Sequence, residues 1–213
     1  MNKIPVFLFL WISMACANAQ ITKQVTLFNG RNLNKWEGDK TLWHLDAGGV
    51  VTAGELTVRQ EQNDFLATKR NYKNYTLHLD FKLEGGIGFI NAGVQIHSQR
   101  STKPPLHEMI GYQVDMGNGF WASIYDESRR DRTIASADQE RVKTILHEND
   151  WNHYEIRCIG RRIVVLLNGV QTVDYTEPEN EFPAEGKIAL QIHGNGNAKV
   201  SYKNIFLQKA KKP

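Results

Sequence analysis

Apolar and polar residues alternate with a period of two along most of this chain. In the longest run every second residue from Tyr75 to Leu83 is apolar, and polar residues fill the positions between. Shorter runs of the same kind occupy residues 92–96, 112–116, 154–158 and 188–192. Because successive side chains of a strand point to opposite faces, the pattern predicts strands with one core-facing side and one polar side.

Short turn sequences separate these runs. Asn168-Gly169 lies between two apolar segments and is the strongest hairpin signal, because both residues tolerate the positive φ angles of a tight turn. Only residues 137–146 could form a short helix. Many strands and almost no helix in a chain of this length predict an all-β fold, in which two sheets stack as a jelly-roll sandwich.

The first residues have the composition of a signal peptide. An early lysine precedes an apolar stretch at residues 6–14, and Ala17-Asn18-Ala19 resembles a cleavage site. We therefore predict a signal peptide over residues 1–19 and a single sandwich domain over residues 20–213. The protein would then be periplasmic or secreted.

The two cysteines add little chemistry. A lipoprotein anchored through Cys16 is less favoured than cleavage, because the position that normally holds leucine holds another residue. Cleavage would leave Cys158 alone, so no intrachain disulfide is predicted. Cys158 continues an alternating apolar row, which predicts a buried thiol.

Charge and hydropathy narrow the range of partners. The formal net charge is only +3 and the basic residues form no concentrated stripe, so we predict no nucleic-acid partner. No segment after the signal peptide is apolar enough for a membrane helix, so we predict no membrane insertion. Nothing in the sequence predicts an oligomeric state.

Polar side chains suited to carbohydrate occupy the outward positions of three runs. If the apolar residues of each run face the core, the alternate residues face outward. These are Asn91, Gln95, His97, Gln113, Asp115, Gln191 and His193. Amide, carboxylate and imidazole groups supply the donors and acceptors that sugar hydroxyls require. The pattern favours a sugar-binding face, with an ordinary solvated sheet face as the alternative.

Two further segments could contribute to such a site. Trp121 follows a glycine-containing turn, where its ring could stack on a pyranose or pack the loop onto the sheet. The charged segment that follows could contact substrate or form a salt-bridged surface turn. Its residues of interest are Tyr125, Glu127, Arg129 and Arg130.

Metal ligation is the less favoured chemistry. The side chains of a ligand type are His97, Glu108, Asp115 and His193. They lack any short diagnostic spacing, such as two histidines one helical turn apart. We therefore predict no cofactor and keep a divalent metal as the alternative.

Four segments carry motifs that occur together in one known family. They are Leu27-Phe28-Asn29-Gly30 with Trp36, Asn91-Ala92-Gly93-Val94-Gln95, Glu108 with Gly111-Tyr112-Gln113 and Asp115, and Trp121 to Arg130. In order, they resemble LFNG…L..W, NSGVQ, E..GYQ.D and WGSLYDE..R. With further landmarks downstream, the chain resembles the 3-keto-disaccharide hydrolase domain family over nearly all of residues 20–213. It departs from the family at Ile96-His97, where an arginine often follows the NSGVQ strand.

The resemblance implies a concanavalin A-like lectin/glucanase jelly roll, an exported bacterial protein and action on glycosides or disaccharides oxidised at carbon 3. A carbonyl at carbon 3 acidifies the proton on carbon 2. A base can therefore remove that proton, and the enolate can expel the group on carbon 1. Addition of water to the unsaturated sugar would complete a net hydrolysis.

This route needs a base, an oxyanion stabiliser and an acid for the leaving oxygen. We predict His193 or Asp115 as the base and Tyr125 as the proton donor. Arg129 or Arg130 would lie near the developing charge. The side chains expected to contact the sugar are Asn91, Gln95, His97, Gln113, Trp121, Glu127 and Gln191. Glu108 and Asp115 could instead act as the carboxylate pair of an ordinary glycosidase.

Two classes of protein other than enzymes remain. Because one fold carries many functions, a non-catalytic carbohydrate-binding module or lectin-like domain is the main alternative. A structural or partner-binding domain is the third. A binder would tolerate loss of His193 and Tyr125, whereas an enzyme would lose turnover and keep affinity.

Overall fold

The computed structural model describes residues 23–180 and 182–210. The expected signal peptide and Cys16 lie outside these residues. Within them the chain forms fifteen strands and one short helix. The strands are β1 (Gln24–Thr26), β2 (Trp36–Glu37), β3 (His44–Asp46), β4 (Val50–Ala53), β5 (Asp64–Thr68), β6 (Tyr75–Gly88), β7 (Asn91–Arg100), β8 (Met109–Gly117), β9 (Ile124–Glu127), β10 (Arg132–Ala135), β11 (Asn152–Ile159), β12 (Arg162–Leu167), β13 (Val170–Thr176), β14 (Lys187–Ile192) and β15 (Gly196–Lys209). The helix is α1 (Gln139–Lys143).

The strands form two antiparallel sheets that stack face to face. Among the described residues one sheet has eight strands in the order β13-β12-β11-β6-β15-β4-β3, with β1 paired to β15. The other has seven strands in the order β10-β9-β8-β7-β14-β5-β2. Neighbours in space are often distant in sequence, as expected of a jelly roll. The predicted all-β, two-sheet sandwich is confirmed.

The core lies between the sheets and follows the alternation of the sequence. Along β6 the apolar residues from Tyr75 to Leu83 are buried, and the residues between them are half-buried on the other face. Cys158 is fully buried in the same core, as its place in the sequence pattern indicates.

Turns and the helix follow their local signals. Asn168 and Gly169 have φ angles of 49° and 82° and join β12 to β13, which confirms the predicted hairpin. The helix begins after Asp138, whose carboxylate accepts hydrogen bonds from the backbone N–H groups of Glu140 and Arg141. No helix in the described part of the chain is long and apolar enough to cross a membrane.

Two tyrosines of the eight-stranded sheet reach across the core to the backbone of the other sheet. The Tyr202 hydroxyl lies 3.0 Å from the carbonyl oxygens of both Gly93 and Gln191. The Tyr154 hydroxyl donates to the carbonyl oxygen of Asp115 at 2.7 Å. Both tyrosines are fully buried, so these bonds form away from competing water. They fix the backbone of β7, β8 and β14 directly behind the outer face of the seven-stranded sheet.

Candidate active site

A groove of about 230 Å³ lies on the outer face of the seven-stranded sheet. We call this cavity the groove throughout. It is lined by Phe89, Asn91, Gln113, Asp115, Phe120, Tyr125, Glu127 and His193. The polar lining residues come from β7, β8 and β9 and from the position just after β14. These strands are consecutive in the sheet, in the order β9-β8-β7-β14. The period-two pattern therefore placed Asn91, Gln113, Asp115 and His193 on the correct face.

Asp115 is the most buried carboxyl group of the groove. Its backbone is opposite Gly93 in β7, and its side chain is 4% exposed. The Gln113 side chain donates from Nε2 to Asp115 Oδ1 at 2.8 Å. Burial raises the pKa of Asp115 to about 7, and the Gln113 hydrogen bond partly opposes that rise. Near neutral pH this group can therefore both take up and release a proton.

Glu127 is the second carboxyl group, and it lies on the neighbouring strand β9. Burial is the main cause that raises the pKa of Glu127 to about 8, followed by the negative charges of Glu108, Asp115 and Asp131. Its only side-chain partner among the described residues is Gln191, which donates from Nε2 at 3.2 Å. A carboxyl group with a pKa of about 8 is mainly protonated at pH 7.

Tyr125 lies two residues before Glu127 and points into the groove from the same strand. Burial and then the charge of Glu127 raise the pKa of the Tyr125 phenol above its usual value. The phenol remains protonated under ordinary conditions. It is thus a neutral hydrogen-bond donor beside two carboxyl groups.

His193 enters the groove from the turn after β14. Its Nδ1 lies 2.8 Å from the carbonyl oxygen of Gly194. A carbonyl only accepts, so Nδ1 carries a proton and the neutral ring keeps its lone pair on Nε2. The ring meets Phe89 edge to face, with centroids 4.7 Å apart.

Phe89 and Phe120 form the apolar side of the groove. Both rings are more than one-third exposed, and they meet edge to face with centroids 6.3 Å apart. Exposed aromatic faces beside polar groups suit the apolar face of a sugar ring. Neither Phe89 nor Phe120 is among the predicted site residues, although Phe120 directly precedes the predicted Trp121 in the same turn.

Trp121 does not line the groove. Its ring stacks on Phe81 of the core, with centroids 6.2 Å apart and planes 24° apart. The indole therefore packs its loop onto the sandwich, which was the alternative to sugar stacking. The prediction that Trp121 contacts the sugar does not fit this position.

His97 faces the core, so the expectation that it faces outward is wrong. Its φ angle is 49°, and the pairing of β7 with β8 shifts register between Ile96 and Gln99. This bulge reverses the alternation, and His97 meets the Tyr75 ring edge to face at 5.5 Å. Burial lowers the pKa of His97 to about 4, so the ring is neutral.

Arg129 and Arg130 also lie away from the groove. Both donate to the buried carboxylate of Asp126, and Arg130 also pairs with Glu177. Arg129 lies over the rings of Tyr112 and Phe182, at 4.4 and 3.9 Å from their centroids. These contacts correct the predicted role near the developing charge, because the guanidinium groups are already paired. The contacts agree with the alternative of a salt-bridged turn, except that the paired carboxylates of Asp126 and Glu177 are buried rather than at the surface.

The remaining predicted residues lie beside or beneath the groove. Glu108 is half-buried just before β8, where it influences Glu127 without lining the cavity. The two carboxyl groups that share the groove are therefore Asp115 and Glu127, rather than Glu108 and Asp115. Gln95 and Gln191 are fully buried on the groove side and contact the lining residues Gln113 and Glu127.

The candidate metal ligands do not come together at one site in the described part of the chain. Within residues 23–180 and 182–210, no three His, Cys, Asp or Glu side chains are grouped so that they could hold a metal ion. Of the four candidate ligands, Asp115 and His193 line the groove, whereas Glu108 and His97 do not.

The fold and the groove together define a jelly-roll protein with a polar and aromatic cavity of the kind that handles carbohydrate. Residues 23–208 match the family model for the 3-keto-alpha-glucoside-1,2-lyase-like domain, so this chain belongs to that family. No curated protein sequence matches the chain.

Solved structures share the fold at low sequence identity. A candidate glycosyl hydrolase from Parabacteroides distasonis has a TM-score of 0.65 and 22% identity, covering 88% of this chain and 100% of that one. The family 66 carbohydrate-binding module from Bacillus subtilis has a TM-score of 0.59 and 16% identity, covering 82% and 95%. The beta-glucanase of Bacillus licheniformis has a TM-score of 0.56 and 8% identity, covering 91% and 100%. These likenesses confirm the lectin/glucanase type of jelly roll.

Proposed function

We propose that this protein cleaves 3-keto-glycosides by elimination across carbons 1 and 2, followed by hydration of the product. The observation that carries the proposal is the pair of carboxyl groups in the groove. Burial raises the pKa of Asp115 to about 7 and that of Glu127 to about 8. Two carboxyl groups whose pKa values are raised to near neutrality can supply a base and an acid at neutral pH.

Asp115 is the base in this scheme. Its Oδ1 is held by Gln113, and Oδ2 has no hydrogen bond to the described residues, so Oδ2 can take the proton from carbon 2. A base works best when its pKa is close to the working pH, and Asp115 meets that condition. His193, with its lone pair on Nε2, is the second candidate for this role.

Glu127 is the acid that protonates the leaving oxygen. The negative charge that develops on the carbon 3 oxygen needs donors, and the paired Arg129 and Arg130 cannot supply them. Tyr125 and Asn91 line the groove as neutral donors and take over that role. If Tyr125 instead protonates the leaving oxygen, as the sequence pattern predicts, Tyr125 and Glu127 exchange these two tasks.

Hydration reverses the proton transfers and restores both groups. A water molecule adds its hydroxyl group to carbon 1 and gives its proton to the Glu127 carboxylate. Protonated Asp115 returns a proton to carbon 2. The sum of the two half-reactions is hydrolysis of the bond between carbon 1 and the aglycone.

The size of the groove supports binding of one oxidised sugar ring. About 230 Å³ is less than the ~300–1,000 Å³ of most small-molecule sites. A single ring would fill it, with Phe89 and Phe120 against its apolar face and the amides of Asn91 and Gln113 near its hydroxyl groups. The aglycone would then extend from the cavity toward solvent.

The deciding experiment compares release of aglycone from a 3-keto-glucoside and from its unoxidised parent. We expect release from the keto compound alone, and a loss of about 10²- to 10⁴-fold in Asp115→Asn and Glu127→Gln. Asp174→Asn removes a carboxylate on the other sheet and serves as the matched control. Exchange of the carbon 2 proton with solvent deuterium identifies the base, since it should stop in Asp115→Asn and persist in His193→Gln.

A carbohydrate-binding module is the second candidate, because the exposed Phe89 and Phe120 would serve binding without catalysis. Under that function, calorimetry would detect saccharide binding while neither compound releases aglycone. Binding would then fall in Phe120→Ala and survive in Asp115→Asn. That combination of results would contradict the elimination chemistry.

A further inference from the structure

Behind Asp115, three buried side chains form an uninterrupted hydrogen-bonded chain. The Ser98 hydroxyl donates to Gln95 Oε1 at 2.6 Å, and Gln95 Nε2 donates to Gln113 Oε1 at 2.9 Å. Gln113 Nε2 then donates to Asp115 Oδ1 at 2.8 Å. We call Ser98, Gln95 and Gln113 the relay. All three are at most 2% exposed, so water does not compete for these bonds.

The position of the relay is fixed by glycines on the adjoining strands. A Cβ atom at Gly93 would lie only 2.5 Å from Gln113 Cδ, and one at Gly111 would lie 2.7 Å from Ser98 Oγ. The absence of side chains at these two positions lets Gln113 lie flat across β7 and lets Ser98 fit beneath β8. The relay is therefore packed along its length.

The relay can be fully bonded in either direction. An amide offers a donor at one end and an acceptor at the other, and the Ser98 hydroxyl also lies 3.1 Å from the carbonyl oxygen of Ile96. In the reversed direction, protonated Asp115 donates to Gln113 Oε1, and Gln113 Nε2 donates to Gln95 Oε1. Gln95 Nε2 then donates to Ser98 Oγ, whose proton goes to the Ile96 carbonyl. Each group keeps its partner whether or not Asp115 carries a proton.

We propose that Ser98, Gln95 and Gln113 act as positioning residues that reverse together when Asp115 gains or loses its proton. Gln113 presents Nε2 to the carboxylate and Oε1 to the carboxylic acid. The inference rests on the proposed function, in which Asp115 takes a proton in elimination and returns it in hydration. A fixed donor would favour only the ionised state, whereas a reversible one serves both half-reactions.

Other ionisable groups face Asp115 from the neighbouring elements. Tyr125 and Glu127 face it from β9, and His193 from the turn after β14, while the Tyr154 hydroxyl holds its backbone from the core. None of these groups is hydrogen-bonded to Gln95 or Ser98 among the described residues. A response of the Gln95 amide to the Asp115 proton must therefore pass through Gln113.

The first test is an NMR titration of the intact protein without substrate. We expect the side-chain amide signals of Gln95 and Gln113 to shift with the same midpoint as the Asp115 carboxyl carbon. Asp115→Asn should make both amide signals independent of pH in that range. A Gln95 amide that stays constant while Asp115 titrates would overturn the proposal.

The second test removes the middle of the relay with Gln95→Leu. Gln113 then loses its support, and ionised Asp115 loses more than protonated Asp115, because an unpaired buried charge costs more than an unpaired neutral group. We expect the Asp115 pKa and the acidic limb of the kcat profile to rise by about half a unit or more, and kcat to fall about tenfold. KM should stay within about twofold, because Gln95 does not line the groove. The matched control Gln139→Leu removes a half-buried glutamine on α1 and should change none of these.

Ser98→Ala is the smaller change if Gln95→Leu does not fold. It leaves the bonds from Gln95 to Asp115 in place but removes the hydroxyl group bonded to Gln95. We therefore expect a smaller rise of the Asp115 pKa than in Gln95→Leu, whereas Ser201→Ala, a buried serine of the other sheet, should cause none. An unchanged pH profile in both relay variants would refute the relay. Coupled amides in a protein that releases no aglycone would refute the proposed function and leave the relay standing.

Discussion

Asp126 and Glu127 are adjacent in β9 but point to opposite faces of the sheet and have opposite surroundings. Asp126 is fully buried, and Arg129 Nε donates to it at 2.8 Å while Arg130 donates to its other oxygen. Glu127 faces the groove and has the neutral amide of Gln191 as its partner. None of the described residues that line the groove is lysine or arginine.

The presence or absence of a cation accounts for the difference in pKa between Glu177, which also pairs with Arg130, and Glu127. Glu177 shares Arg130 with Asp126, and although burial alone would raise its pKa, the hydrogen bond from Arg130 brings the pKa of Glu177 down to about 2. Burial without a cation instead raises the pKa of Glu127 to about 8. Arg130 thus keeps the Glu177 carboxylate ionised, whereas the groove carboxyl groups, which have no cation beside them, can exchange protons near neutral pH.

Replacing Arg130, which pairs with both Asp126 and Glu177, should have the largest effect on the free energy of unfolding. We expect Arg130→Met to lower the free energy of unfolding at pH 7 by about 3 kcal/mol, because Asp126 and Glu177 would remain buried with less compensation. The pKa of Glu177 is lowered in the folded state, so its contribution is present above its ordinary pKa of 4.5 and is lost as the pH falls toward about 2. The defect should therefore shrink in acid. Urea denaturation across that range measures it.

Arg162→Met is the matched control for that prediction. Arg162 pairs with Asp174 at 2.6 Å on the exposed surface of the other sheet. Its loss should leave the denaturation midpoint almost unchanged, since exposed ion pairs contribute little. If the two variants lost the same free energy of unfolding, the buried ion pairs of Arg130 would contribute no more than the exposed pair of Arg162.

A cation placed in the groove should give Glu127 the kind of charged partner that Arg130 provides for Glu177. In Gln191→Lys the new ammonium group would lie beside Glu127 and lower its pKa below neutrality. The leaving-group acid would then be ionised at pH 7, and we expect kcat to fall about 100-fold. Lowering the pH should restore little of this activity, because Asp115, the base, becomes protonated below its pKa of about 7. Gln191→Met removes the amide without adding charge, so it should retain more activity. If both variants lost the same activity, the charge state of Glu127 would not be the cause.

The smallest expected effect is an increase in the free energy of unfolding, whereas most substitutions lower it. The pKa of Asp115 is raised from 3.8 to about 7, so the folded state binds more protons than the unfolded state and loses stability as the pH rises between these values. Asp115→Asn carries no such cost. We expect this variant to be more stable than the parent by on the order of 2 kcal/mol at pH 8 and by much less at pH 4. Thermal unfolding at the two pH values checks this, and equal differences at both would contradict it.

The sequence predicts the strands and the polar face of the sheet well because both depend on local alternation. Asp115 and Gln113 reach the groove for that reason, since Tyr112, Val114 and Met116 occupy the alternate core positions. Alternation fails where the backbone departs from a regular strand. His97 lies at a bulge and Ser128 has a φ angle of 51° just after β9, so the facing of His97 and of the arginines that follow could not be inferred from period two.

Contacts between distant segments were the second source of error. Arg130 meets Glu177 from 47 residues away, and no local pattern indicates that pairing. Phe89 lies in the turn between β6 and β7, where periodicity gives no direction. Its place in the groove depends on the loop that carries Phe120, which belongs to a different connection.

The hydroxyl groups of Tyr154 and Tyr202 have a consequence for the motions that the groove permits. They attach the strands behind the groove to the opposite sheet through the carbonyl oxygens of Asp115, Gly93 and Gln191. These strands cannot separate from the eight-stranded sheet without exposing both phenols and the core around them. Backbone amide hydrogens of β7 and β14 should therefore exchange with solvent only when the whole sandwich opens.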